Sequence, residues 1–81
     1  MLRIRILDID VNRLMQAERI ARSAVKQAGI QASVMPVGDR LEISRNGIMG
    51  ALPAVEMNGR VVSTCQPITG ELILSLIQSC S

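Results

Sequence analysis

The run Ala51-Leu52-Pro53-Ala54-Val55-Glu56-Met57-Asn58-Gly59-Arg60-Val61-Val62 limits the folding options of this chain more than any other segment. Asn and Gly both tolerate the positive φ of a type I′ turn, so Asn58-Gly59 between two apolar segments predicts a tight β-hairpin. The arms are read as Ala54 to Met57 and Arg60 to Ser63. Pro53 stands at the mouth of the first arm, where a residue need not donate to a ladder. Two neighbouring antiparallel strands are therefore expected before the rest of the chain is considered.

The remaining residues must cover that hairpin. The chain has 81 residues and is read as one domain over residues 1–81. A domain of this size buries only about 60% of the surface its unfolded chain exposes, so the core is small. It is built without Phe, Tyr or Trp, and five Met residues stand ready to fill the gaps that rings would otherwise occupy. The hydrophobic fraction of 48% argues for a globular chain over a disordered one.

Leu2 to Leu7 alternates, with Leu2, Ile4 and Ile6 on one face and Arg3 and Arg5 on the other, which predicts a strand. Asn12 to Ala28 carries Leu14, Ala17, Ala21, Ala24 and Ala28 at spacings of three and four, widened by Ile20 and Val25, which predicts the long helix. Asp10 or Asn12 can cap its start, and Gly29 suits its exit. Arg19, Arg22 and Lys26 lie on the opposite face, read as solvated, with a stripe for an acidic partner as the alternative. Ile30 to Val37 reads as a second strand, with Ala32, Val34 and Pro36 on one side and Pro36 favouring an edge position. Asp39 can cap a short helix from Arg40 to Asn46, whose apolar contacts would be Leu41, Ile43 and Ile48. Ile68 to Cys80 is the last helix, with Leu72, Ile73, Leu76, Ile77 and Cys80 as its stripe, Thr69 near its start and Glu71 in its first turn.

The expected order is β-α-β-α-β-β-α, an α/β chain with one four-stranded mixed sheet. The first two strands would pair in parallel through a crossover and the last two antiparallel. The two long helices would cover one face and the short helix part of the other. Glu42 and Glu56 are the expected counter-charges for Arg3 and Arg5, whose alternative reading is an Arg-rich surface that docks a partner or a second copy of the chain.

The formal net charge is +2, too weak to imply nucleic acid, and there is no His to serve as general base, metal ligand or pH switch. No glycine-rich phosphate loop or paired carboxylate motif suggests a cofactor. Cys65 and Cys80 lack Cys-x-x-Cys or zinc-ligand spacing. With a helix between them they would lie roughly 20 Å apart, beyond the reach of a disulfide, which needs Cα atoms within about 7 Å. Two free thiols and a reducing, cytoplasmic setting are therefore expected. The start, Met1 to Asp8, has no signal-like apolar stretch, and no run approaches a membrane span.

The order of elements, with Leu52-Pro53-Ala54 leading into the hairpin, resembles the thioredoxin fold. The likeness is greatest to the minimal thioredoxin-like small redox disulfide proteins. It runs along essentially the whole chain: Ile4-x-Ile6, Glu18, Ala28-Gly29-Ile30, Leu52-Pro53-Ala54-Val55, Asn58-Gly59-x-Val61-Val62 and Gly70-Glu71-Leu72. That family places a Cys-x-x-Cys between its first strand and first helix, where the helix N-terminus makes the first thiol a nucleophile. The corresponding tetrad here is Val11-Asn12-Arg13-Leu14, and no Cys precedes Cys65. The dithiol chemistry is not carried over, which weighs against an enzyme.

The resemblance further implies that Pro53 matches the family's cis-proline. There it either shapes the loop or leaves the Leu52 backbone as an edge for an extended peptide. It also places Cys65 on the same rim as Pro53 and Val11. Cys65 is expected to be an inert, semi-buried thiol, with Arg13 as the one cation that could approach it; an active thiol is the alternative. Three functions follow. One is a redox-inert module that binds a protein or peptide on a rim of Val11, Arg13, Leu14, Leu52, Pro53 and Cys65. The second is a single-thiol redox protein acting through Cys65. The third is a degenerate domain that serves in a homodimer or larger assembly.

Overall fold

A computed structural model describes residues 1–80, the side chain of Cys80 excepted. Seven elements follow in order: β1 (Leu2–Leu7), α1 (Val11–Ala28), β2 (Ala32–Val37), α2 (Arg40–Arg45), β3 (Ala54–Met57), β4 (Arg60–Ser63) and α3 (Gly70–Cys80). The strands form one mixed sheet in the order β2-β1-β3-β4. β1 pairs in parallel with β2, with Leu2 opposite Ala32, and antiparallel with β3, with Ile4 opposite Met57. The hairpin arms are those expected. Asn58 and Gly59 hold φ of 52° and 85°, and Val62 is an extra residue that shifts the register between Val55 and Glu56.

Alternation along β1 divides the core in two. Ile4 and Ile6 face α1 and α3, where they meet Leu14, Ala17, Ala21, Ala24, Ile73 and Ile77 together with Val34, Val55 and Met57. Leu7 faces the other way and packs with Val37, Ala54 and Ile43 of α2. Three of the four buried α1 residues are alanines, so the backbone of α1 can lie close to the sheet.

α1 starts at Val11, one residue before the expected Asn12, because Asp10 is its cap and accepts from the Arg13 N–H at 3.1 Å. Ala28 is exposed and is not part of the buried stripe. At about 1.5 Å per residue α1 is longer than the six-residue strands beneath it, so its last turn overhangs them. β2 begins at Ala32, not Ile30, because Ala32 is already opposite Leu2, where β1 starts. Pro36 was expected inward but is exposed on this edge strand, and burial passes to Val37 on the opposite face.

α2 ends at Arg45, and Asn46 caps it by donating its N–H to the Glu42 and Ile43 carbonyls. Leu41, expected as a packing residue, is 68% exposed. Two residues apart on a helix point to nearly opposite sides, so Ile43 takes the core and Leu41 the solvent. α3 starts at Gly70 rather than Ile68, since Thr69 Oγ1 accepts from the Leu72 N–H at 3.1 Å. Ile68 still packs against the core from the preceding loop. Ile73 and Ile77 are buried while Leu72 and Leu76 are half-buried. The expectations for the Cys80 side chain lie outside the described residues.

On the α2 face, Arg5 bridges the buried Glu56 at 3.0 Å and also Glu42. Arg3 departs from expectation: its side chain makes no ion pair among the described residues and is exposed.

Candidate functional site

The N-terminal half of α1 and two loops enclose a groove of about 470 Å³. From α1 come Arg13, Gln16, Ala17 and Ile20, which recur at three to four residues and so share one side of the helix. Leu52 and Pro53, just before β3, form a second wall. Cys65, Pro67 and Ile68, from the loop between β4 and α3, form the third. The lining is mostly aliphatic.

The two loops are tied together, since the Cys65 N–H donates to the Ala51 carbonyl at 3.2 Å. The Leu52–Pro53 peptide bond is cis. The Leu52 N–H and carbonyl make no hydrogen bond among the described residues, so this stretch of backbone is an unpaired edge on the groove wall. Cys65 holds a φ of 57°, a left-handed conformation that side chains other than Gly, Asn and Asp seldom adopt. It is exposed, with its Sγ 3.9 Å from the Gly50 carbonyl. The expected semi-burial is overturned because the flanking residues Thr64, Gln66 and Pro67 are themselves exposed and nothing packs over the thiol.

Arg13 belongs to the groove but is not spare positive charge for Cys65. It spans to Asp8, which follows β1 and is only 1% exposed. Arg13 Nη2 donates to Asp8 Oδ1 at 2.8 Å and Nε to Oδ2. The Asp10 N–H adds a bond to Oδ1 at 3.1 Å. Burial by itself pushes the Asp8 carboxyl up. The Arg13 guanidinium and the Asp10 and Ile9 N–H groups outweigh it and hold the carboxyl below the usual Asp range. Its hydrogen bond to Asp8 raises the Arg13 pKa further.

Of the six rim residues expected, the structure gathers Arg13, Leu52, Pro53 and Cys65. Val11 is 63% exposed at the helix start and off the groove, and Leu14 is buried in the core. Gln16, Ala17, Ile20, Pro67 and Ile68 were missed. The spacing Arg13, Gln16 or Ala17, Ile20 is a readable signal for the α1 wall, but the apolar periodicity alone assigns Ile20 to the core stripe. The Asp8–Arg13 pair was also missed, since a five-residue separation across a strand end and a helix start carries no periodic signature.

Among the described residues no three His, Cys, Asp or Glu side chains cluster as a metal site. No described helix is long and apolar enough to cross a membrane. No protein-family model matches the sequence, and no curated protein matches it either.

Proposed function

We propose that this chain is a thioredoxin-like domain without the family's dithiol, and that it binds an extended polypeptide in the groove beside Leu52 and Pro53. The observation that carries this reading is the pairing of an aliphatic groove with an unpaired stretch of backbone on its wall. A bound segment would exchange main-chain hydrogen bonds with Leu52 and place apolar side chains against Ile20 and Ile68. That is strand addition with side-chain pockets. Dithiol exchange is not part of the proposal, because Val11 and Leu14 cannot form a thiolate.

The test is selection of binding peptides from a random displayed library, followed by amide shift mapping with the selected peptide. Shifts are expected at Leu52, Ile20 and Ile68, and the substitution Ile20→Lys should abolish binding with the fold intact. Shifts centred away from the groove, or undiminished binding by Ile20→Lys, would overturn the reading.

A second reading is favoured by the exposure of Cys65 in the same groove. Its thiolate would attack one sulfur of a substrate disulfide, forming a mixed disulfide and expelling the other sulfur as a thiolate. This reading requires Cys65 to be alkylated faster than an unperturbed thiol; a rate matching that of a model peptide would remove it.

A further inference from the structure

The basic residues of α1 have different fates. Arg22 donates to Glu18 at 2.7 Å and to the Val34 carbonyl at 3.1 Å, so it is committed to its own helix and to β2. Lys26 lies in the last turn, where a cation suits the negative end of the helix. Arg13 is tied to the buried Asp8. Arg19 differs from all three: it is exposed and makes no ion pair among the described residues.

Arg19 also stands beside the peptide groove. Two further hollows, of about 580 and 350 Å³, adjoin that groove along α1, and Ile20 lines all three. Gln16 is shared by the groove and the larger hollow, and Arg19 lines both hollows. The larger continues to Met15 and Asn12, and the smaller to Ser23, Gln27 and Gly70 at the start of α3. Among the described residues no Asp or Glu lines any of the three. The cations that line them are Arg13, neutralised by Asp8, and Arg19. One uncompensated positive charge therefore borders an otherwise neutral surface.

We propose that the polypeptide taken by the groove carries an acidic side chain next to its apolar anchor, and that Arg19 selects it. This inference rests on the peptide-binding reading and names the class of sequence that is bound. Arg19 and Ile20 are neighbours in α1, so a segment whose apolar side chain packs on Ile20 places an adjacent Asp or Glu beside Arg19. A guanidinium can hold a carboxylate through two parallel N–H···O bonds. Arg19 gives up no internal ion pair to do so. A basic segment would meet repulsion from Arg19 with no carboxylate on this surface to offset it, so the same charge that favours one class of peptide disfavours the other.

The test repeats the displayed-library selection on the wild type, Arg19→Lys and Arg19→Glu. One selected peptide is then titrated against the wild type, intact and with its acidic residues replaced by amides. Peptides selected by the wild type are expected to be enriched in Asp and Glu beside an apolar residue. Amide replacement should weaken binding about two- to fivefold, as for an exposed ion pair, and salt should reduce the difference. Arg19→Lys should keep the preference, and Arg19→Glu should reverse it toward Lys and Arg while the apolar residue is retained. Circular dichroism checks that each variant folds. Groove binding without an acidic preference, or a preference that survives Arg19→Glu, would overturn this proposal and leave the groove reading standing. Selected peptides that produce no amide shifts at Leu52, Ile20 and Ile68 would overturn both.

Discussion

Asp8 and Arg13 form a half-buried ion pair that fastens the end of β1 to the first turn of α1. The carboxylate is enclosed and the guanidinium reaches out to it from the groove wall. The same pair therefore shapes the candidate site and stabilises the fold.

The consequence is a defined acid sensitivity. The Asp8 carboxyl titrates below its unfolded value, so its stabilisation is complete above the ordinary Asp pKa of about 3.9. It is lost as the pH falls through the lower, folded value. Asp8→Asn removes the charge from these hydrogen bonds and should lower stability by about 1–3 kcal/mol at neutral pH. Arg13→Gln leaves burial opposed only by the Asp10 and Ile9 N–H groups, so the Asp8 pKa should rise and acid unfolding should begin at a higher pH. Urea unfolding over a pH series measures both.

Among the described residues, Cys65 is the one non-Gly residue besides Asn58 with a positive φ. A left-handed residue with a Cβ is strained by about 1–2 kcal/mol, part of which is offset by the greater chain entropy of Gly when unfolded. Cys65→Gly should thus raise stability by up to about 1 kcal/mol and leave peptide binding intact. It removes the thiol without disturbing the fold, so it also separates the two functional readings. A fall in the thermal midpoint would show that the thiol packs more than its exposure indicates.

Ile43 is the only fully buried residue that α2 contributes, and it meets Leu7, Val37 and Ala54. Ile43→Ala should cost about 2–5 kcal/mol, within the range for large-to-small changes in a core. Leu41→Ala, one turn-face away, should stay within about 0.5 kcal/mol. Denaturant midpoints on the two variants distinguish the positions.

Asn58 joins the hairpin tip to β1. Its N–H donates to the Arg3 carbonyl, and its Oδ1 accepts from the Arg3 N–H, both at 2.9 Å. Asn58→Ala loses the side-chain bond and the tolerance for φ of 52°, and should cost about 1–2 kcal/mol. Amide exchange at Arg3 should quicken by a larger factor than exchange at Ile73.

The order of elements, the parallel and antiparallel pairings and both hairpin arms were legible because each rests on local rules: period two, period three to four, and a turn that Asn-Gly favours. The cap at Asp39 and the link of Arg5 to Glu42 and Glu56 were readable for similar reasons, through a cap preference and a count of charges on one strand face. Element ends were less legible. Ile30 and Ile68 look like strand and helix starts in isolation, but the beginning of β1 and the cap at Thr69 set the boundaries.

What only the tertiary structure decided is which side chains share the groove. Ile20 and Leu14 both read as members of one apolar stripe; the packing puts Leu14 in the core and leaves Ile20 on a groove wall with Leu52. The resemblance places Cys65 near Pro53, but its exposure is decided in space, where Thr64, Gln66 and Pro67 are themselves exposed and nothing covers the thiol. Asp8 and Arg13 meet because one strand ends where the next helix begins, and that distance is set in space. The local rules specify the backbone because they act between near neighbours. The site depends on contacts among residues up to some fifty positions apart, and those exist only once the sheet and helices have packed.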